Sequence, residues 1–267
     1  MTSPDFRVHS PYADEEQDGF MGGETKRLKT MDAWLLPISR LLIGDVSGKK
    51  ILDIGAGSGT SLQTYAQNEG GFYTPLDMNS ALLKERESGT AGSVIGVATG
   101  LPFIDESYDT VHMRALTAWL SEEARLTAMK EAIRVAKEHI IVINFDWSTA
   151  RGGPEAEILK LLMMSILASA GYLPEYGSIQ EDDIKNSLKN YKSLNIKHQV
   201  FESPDEDPHL SMIIFNEAVM TLYRQLEHMK LFDPAALLMA QHQKALNEFD
   251  RMAFSLPKLH STVISKN

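Results

Sequence analysis

The chain has 267 residues, 43% of them hydrophobic, which is enough for one substantial core and typical of a single domain with embellishments. It contains no cysteine, which excludes disulfides, thiolate zinc sites and a cysteine nucleophile, and we predict no metal site. A net charge of −10 argues against a nucleic-acid partner, since phosphate backbones bind to basic protein faces.

The first 45 residues are predicted to form a lid and a helix that precede the main domain, residues 46–267. Residues 12–21 are mostly acidic and small, which is typical of a segment that closes over a ligand. An amphipathic helix with Trp34, Leu35 and Leu42 on its apolar face follows. The start of the chain lacks the apolar segment of a signal peptide, and no stretch is apolar enough to span a membrane, so we expect a cytoplasmic protein without membrane contacts.

Residues 51–59 read Ile-Leu-Asp-Ile-Gly-Ala-Gly-Ser-Gly, the most informative stretch of the chain. The pattern predicts a buried parallel strand ending at Ile54, a tight turn, and a helix opening near Ser58 or Thr60. A dinucleotide site needs G-x-G-x-x-G, whereas the spacing here is G-x-G-x-G. Asp53 before the turn repels a pyrophosphate and favours a cationic or amino-acid-like ligand. A tight turn without a ligand is the alternative.

A second apolar run ends at Asp77, about 20 residues beyond the glycines and next to Met78. At that spacing a carboxylate can accept hydrogen bonds from ribose hydroxyls. The alternative role for Asp77 is to cap the following helix, which Asn79 or Ser80 can equally do.

Apolar runs and amphipathic stretches alternate along the chain, which predicts an α/β fold with a largely parallel sheet. The predicted strands are 50–54, 72–77, 93–97, 108–113, 138–145, 194–201 and 259–265. The predicted helices are 58–69, 79–88, 121–137, 154–171, 180–190, 209–230 and 233–252. The last two helices fall in an insertion, about 203–252, that we expect to wall a substrate pocket.

The acid followed by G-x-G-x-G resembles the first motif of the class I S-adenosylmethionine (SAM) methyltransferases. This resemblance implies a Rossmann-like, seven-stranded, mostly parallel sheet with helices on both faces, SAM as cofactor, and cofactor contacts from Asp53, Gly55, Ala56, Gly57, Asp77 and Met78. The segment 96–103 resembles the adenine-binding segment of ubiquinone-biosynthesis-type members, which implies contacts from Ala98 and Thr99. Val97 departs from that pattern, because relatives usually carry an acid there.

Glu24-Thr-Lys-Arg27-Leu28 is similar to the N-terminal helix of a bacterial methyltransferase group with a Glu-x-x-Arg-Leu pattern. The resemblance implies that this helix closes over the cofactor and that Arg27 holds the methionine carboxylate of SAM. The alternative is a solvated ion pair between Arg27 and Glu24.

Further candidates lie where predicted strands end. Met113 is expected to contact the cofactor through its backbone, while His112 is expected to be a packed histidine rather than a base. The alternatives for Trp147 are an apolar wall of the pocket, a cation–π partner and an ordinary core position. Candidate catalytic residues that orient a reacting group are Asn144, Tyr176 and Ser203.

The predicted function is SAM-dependent methyl transfer to a small molecule in specialised metabolism. One alternative is a SAM cyclase or lyase on the same fold, which converts SAM to methylthioadenosine and azetidine-2-carboxylate. Another is a non-catalytic SAM-binding protein. The acceptor and the oligomeric state stay open at this point.

Overall fold

The computed structural model describes residues 18–86, 92–169, 171–191, 193–202, 215–249 except 217, 221, 225, 228 and 229, and 255–266. The strands are β1 (Lys50–Ile54), β2 (Phe72–Asp77), β3 (Val94–Ile95), β4 (Tyr108–Arg114), β5 (Ala136–Asp146), β6 (Leu194–Phe201) and β7 (Lys258–Lys266). The helices are α1 (Asp18–Ile43), α2 (Ser61–Asn68), α3 (Ser80–Lys84), α4 (Glu122–Val135), α5 (Pro154–Ser169), α6 (Tyr176–Ser187) and α7 (Phe232–Phe249). Further helical residues lie between 215 and 227.

The seven strands form one sheet in the order β3-β2-β1-β4-β5-β7-β6. Strands β1 to β5 pair in parallel, whereas β7 runs antiparallel to both of its neighbours, β5 and β6. The predicted Rossmann-like, mostly parallel sheet is therefore confirmed, with its antiparallel hairpin at one edge.

Successive side chains on the central strands point to opposite faces of the sheet, and a hydrophobic core lies on each face. Ile141 and Ile143 of β5 pack with Trp34 and Leu35 of α1, while Ile140 and Val142 pack against α4 and α6. Because both faces are covered, the central strands read as nearly continuous apolar runs.

Several predicted boundaries differ from the observed ones for local reasons. Strand β3 spans two residues rather than five, because the chain leaves the sheet at Gly96 and turns back through a bridge between Val97 and Gly100. Helix α6 begins at Tyr176 rather than 180. Part of the predicted helix 209–230 lies outside the described residues. Within the described ranges, no helix is long and apolar enough to cross a membrane.

Candidate functional site

A cavity of about 230 Å³ lies at the carboxyl ends of β1, β2, β4 and β5. This is where ligands bind in open α/β sheets, because the loops after adjacent parallel strands diverge there. Helix α1 and residues of α5 and of the 215–227 segment close the cavity from the other side. Its lining includes Leu28, Met31, Ile54, Leu116, Met163, Leu167, Ala218 and Leu222, which make most of the wall apolar.

The glycine turn forms one wall of the cavity. Gly55 and Gly57 have φ angles of +73° and +56°, which favour glycine because a Cβ is strained there. The amide of Gly57 donates to Oδ2 of Asp77 at 2.9 Å, and the Gly57 carbonyl accepts from Nη1 of Arg86 at 3.0 Å. Buried Arg86, which the sequence analysis did not identify, therefore fixes the turn from behind.

Asp77 lines the cavity beside this turn. Its second oxygen, Oδ1, accepts from the amide of Asn79 at 2.9 Å. Burial raises the pKa of the Asp77 carboxyl, and the two backbone N–H groups only partly offset this effect. The cap of α3 is Asn79, whose side chain accepts from Ala81 and Leu82. The capping alternative for Asp77 is therefore wrong, because Asn79 fills that role.

Asp53 lies beneath the cavity and is absent from its described lining. Its Oδ1 lies 2.8 Å from Nδ1 of His112, and its Oδ2 accepts from the Tyr73 hydroxyl at 2.5 Å. Burial raises the pKa of Asp53, but the charge and hydrogen bond of His112, the charge of Arg114 and the Tyr73 hydrogen bond outweigh this and hold the pKa below its usual value. His112 is fully buried, as expected of a packed histidine, with Nε2 3.3 Å from Oγ of Ser39.

Asp32 of α1 is a cavity residue that the sequence analysis missed. Its Oδ1 accepts from Nη2 of Arg114 at 2.5 Å, and its Oδ2 accepts from the amide of Ser61 at 2.6 Å. Asp32 thus satisfies an orphan N–H at the start of α2, where Thr60 makes no side-chain cap. The available signal was helical spacing, because Leu28, Asp32 and Leu35 share one face of α1.

Arg27, one turn before Met31 on α1, also lines the cavity. Its Nη1 lies 3.7 Å from the Met31 sulfur. The Glu24 side chain and the predicted lid before residue 18 lie outside the described residues.

Aromatic side chains form a further part of the cavity wall. Phe145 is the penultimate residue of β5, Trp147 directly follows that strand, Trp119 follows β4, and Tyr172 follows α5. Burial raises the pKa of Tyr172 to about 12, against smaller lowering effects from a Trp147 hydrogen bond and the charge of Arg27. Tyr172 therefore stays protonated at neutral pH.

Two of the predicted catalytic residues lie outside the described cavity lining. Asn144 is buried on the other face of β5, where its Nδ2 donates to Thr117 at 2.6 Å and to Gln180 at 2.7 Å. The Tyr176 hydroxyl donates to Asp183 at 2.7 Å. Strand alternation directs Phe145 to the cavity and Asn144 away from it. The structure therefore corrects the expectation that Asn144 and Tyr176 reach a ligand there. Ser203 lies outside the described residues.

Some of the predicted cofactor residues line the cavity and others do not. Those in the cavity lining are Arg27, Gly55, Ala56, Gly57, Asp77, Met78 and Ala98. Asp53 and Thr99 are not among the described lining residues, so their positions do not support direct contact with a ligand in the cavity. The Met113 side chain is fully buried in the core, and the backbone contact expected of Met113 stays a prediction.

Residues 52–143 match the family model of a methyltransferase domain. A demethylmenaquinone methyltransferase from Renibacterium salmoninarum is 29% identical over 162 residues, covering 59% of this chain and 63% of that protein. The match thus spans less than two thirds of this curated relative.

Two solved structures show the same fold at low identity. A cyclopropane-fatty-acyl-phospholipid synthase-like protein from Lactobacillus casei is 18% identical with a TM-score of 0.58, covering 89% of this chain and 92% of that one. A geranyl diphosphate C-methyltransferase from Streptomyces coelicolor, solved with S-adenosyl-L-homocysteine, is 8% identical with a TM-score of 0.50, covering 88% and 75%. Residues 52–143 thus match the model of a methyltransferase domain, and the chain shares a Rossmann-like methyltransferase fold with these solved structures.

Proposed function

We propose that the chain is a SAM-dependent methyltransferase that acts on a small molecule in specialised metabolism, in the cytoplasm. The observation that carries the proposal is the shared wall of the cavity, where the Gly57 amide and the Asp77 carboxylate are joined at the carboxyl ends of β1 and β2. S-adenosylhomocysteine in the complex of the geranyl diphosphate C-methyltransferase supports the choice of cofactor.

In this proposal the glycine turn would hold the cofactor from one side. Asp77 would accept hydrogen bonds from the ribose hydroxyls, and Met78 and Ala98 would hold the adenine on their apolar surfaces. Met78 lines the cavity and is 44% exposed, so its side chain is available for such a contact. Arg27 holds the methionine carboxylate from α1.

Methyl transfer is an in-line displacement, in which the acceptor attacks the methyl carbon and the electrons of the breaking C–S bond stay on sulfur. Positioning and exclusion of water supply most of the rate in such a reaction. Among the described lining residues the carboxylates are Asp32 and Asp77, and both oxygens of each already accept hydrogen bonds. The proposal therefore assigns no general base in the described lining.

SAM cyclisation is the second candidate, because it needs no acceptor and no base that activates one. Both carboxylates among the described lining residues already accept hydrogen bonds, which is compatible with such a reaction. In cyclisation the amino nitrogen of SAM attacks its own γ-carbon, the C–S bond breaks, and methylthioadenosine leaves with both electrons. The nitrogen then loses a proton to solvent, and azetidine-2-carboxylate remains.

Calorimetry with SAM, S-adenosylhomocysteine and NADH, followed by mass spectrometry of the reaction products, tests these proposals. Binding of SAM and S-adenosylhomocysteine, but not of NADH, supports a SAM site. Failure of SAM and S-adenosylhomocysteine to bind rejects it. S-adenosylhomocysteine formed with a candidate acceptor supports methyl transfer. Methylthioadenosine formed from SAM alone identifies cyclisation or elimination. SAM binding without any product across a broad acceptor panel favours a non-catalytic SAM-binding protein.

The ribose contact has its own test. Asp77→Ala should weaken SAM binding, and unchanged affinity would reject the assignment. Asp105→Ala is a matched control, because Asp105 is exposed and lies outside the cavity lining.

A further inference from the structure

Four aromatic residues line one side of the cavity and form what we term the aromatic recess: Trp119, Phe145, Trp147 and Tyr172. They come from three separate chain segments. Backbone hydrogen bonds join these segments, because the Leu173 amide donates to Ala118 and the Trp147 amide donates to Pro174, each at 2.9 Å. The recess is therefore held by main-chain contacts in addition to side-chain packing.

The rings of the recess are fixed against one another. The ring centroids of Trp119 and Tyr172 lie 4.5 Å apart, and those of Phe145 and Trp147 lie 5.9 Å apart. Trp34 stacks behind Phe145 at 5.8 Å with the planes 1° from parallel.

Among the described lining residues of the cavity, both carboxylates already have hydrogen-bond partners. Asp32 pairs with Arg114 and the Ser61 amide, and Asp77 accepts two backbone N–H groups. Aromatic faces attract cations through their negative π surface, with tryptophan the strongest. The recess thus offers a cation a partner in addition to these two carboxylates.

The recess is also adjacent to the glycine turn. A Cβ on Gly55 would lie 3.2 Å from Cδ1 of Leu116, and Leu116 immediately precedes the short helical turn that ends at Trp119. A ligand that follows the glycine turn therefore reaches the recess within the same cavity.

We propose that the aromatic recess binds the positively charged sulfonium of SAM by cation–π contact, with Trp147 as its principal face. This inference rests on the proposed SAM site and specifies how that site distinguishes a sulfonium from a thioether. The recess serves methyl transfer and cyclisation alike, because both reactions start from the sulfonium.

The experiment compares SAM with S-adenosylhomocysteine, which has the same adenosine and amino-acid parts but a neutral sulfur. Both ligands are titrated by calorimetry into the wild type, Trp147→Leu, Trp147→Phe and Tyr191→Leu. Tyr191 is a control, since it is exposed and lies outside the cavity lining. Urea unfolding establishes that each variant is folded.

We expect Trp147→Leu to lower the ratio of SAM to S-adenosylhomocysteine affinity by roughly 5- to 20-fold, chiefly through loss of SAM affinity. Trp147→Phe, which keeps an aromatic face, should lose less, and Tyr191→Leu should change neither affinity. Equal losses for both ligands, or an unchanged ratio, would overturn the inference while leaving the SAM site intact. Failure of both ligands to bind the wild type would instead reject the proposed function. If Trp147→Leu does not fold, Trp119→Leu supplies the same comparison.

Discussion

The carboxyl group of Asp32 occupies the space beside Gly59 in which any other residue would place its side chain. A Cβ on Gly59 would lie 2.6 Å from Cγ and 2.9 Å from Oδ2 of Asp32. The third glycine of the turn thus admits an acidic side chain from α1, which then reaches the Ser61 amide and Arg114. Helix α1 is joined to the start of α2 and the end of β4 through this one residue.

We expect Gly59→Ala to lower the free energy of unfolding by about 1–3 kcal/mol, because the added methyl group overpacks against Asp32. Urea unfolding measures the change. Gly100→Ala is the matched control, since a Cβ at Gly100 meets no atom within 4 Å. The cost of Gly59→Ala should be smaller in an Asp32→Ala background, and equal costs in both backgrounds would show that the two residues do not interact.

Asp32→Ala should lower the free energy of unfolding by about 3–5 kcal/mol, because it leaves the largely buried guanidinium of Arg114 without its carboxylate. The exposed pair of Lys185 and Glu181 provides the comparison. Lys185→Ala should cost at most about 1 kcal/mol. A similar small cost for both variants in urea unfolding would contradict the importance of the buried pair.

The pKa of Asp53 predicts how its contribution depends on pH. Because its folded pKa lies below the reference value of 3.8, the ionised carboxylate stabilises the folded state above that pH and loses this effect as pH falls through the folded pKa. The wild type should therefore exceed Asp53→Asn in unfolding free energy at neutral pH by about 1.5–3 kcal/mol, the usual value of a hydrogen bond to a charged group. Urea unfolding from about pH 7 to pH 3 should show the difference shrinking. A difference that is constant with pH would contradict the assignment.

Asp77 should show the opposite pH dependence. Its folded pKa lies above 3.8, so its contribution to stability is greatest below that value and is lost as pH rises through the folded pKa. The stability of the wild type relative to Asp77→Asn should therefore fall as pH rises from about 4 to 7. The same urea series measures both carboxylates, and a relative stability that rises over this range would contradict the raised pKa.

Arg27→Met should weaken SAM binding more than it weakens binding of decarboxylated SAM, because only SAM carries the carboxylate that the guanidinium holds. We expect a loss of roughly 10-fold or more for SAM, as for a charge-assisted hydrogen bond. Calorimetry with both ligands measures the difference. Equal losses would reject the carboxylate contact and favour a general packing role for Arg27 on α1.

Local patterns were sufficient to predict the main elements of this fold. The apolar run 51–54 and the glycines after it form β1 and its turn, and strand β6 has its predicted bounds. The end of a short helix was less predictable than its start. Asn79 caps the start of α3, but the helix ends at Lys84 rather than 88.

Polar side chains on buried strands were harder to place from the sequence. Asp53 and Asn144 each stand near a strand end that points at the cavity, which made both attractive as ligand contacts. Side-chain alternation and the neighbours on each face determine where such a group points, and those neighbours, His112 for Asp53 and Gln180 for Asn144, come from distant parts of the chain.

The sequence by itself determined the α/β class, the glycine turn and the position of Asp77 at the end of β2. A strand, a tight turn and the end of the next strand are all set by residues close along the chain. Only the tertiary structure decided which side chains meet in the cavity. Asp32 and Arg114 are 82 residues apart in sequence, and the aromatic recess assembles from three separate segments. Such contacts follow from sheet order and helix packing, which bring together residues that no local pattern relates.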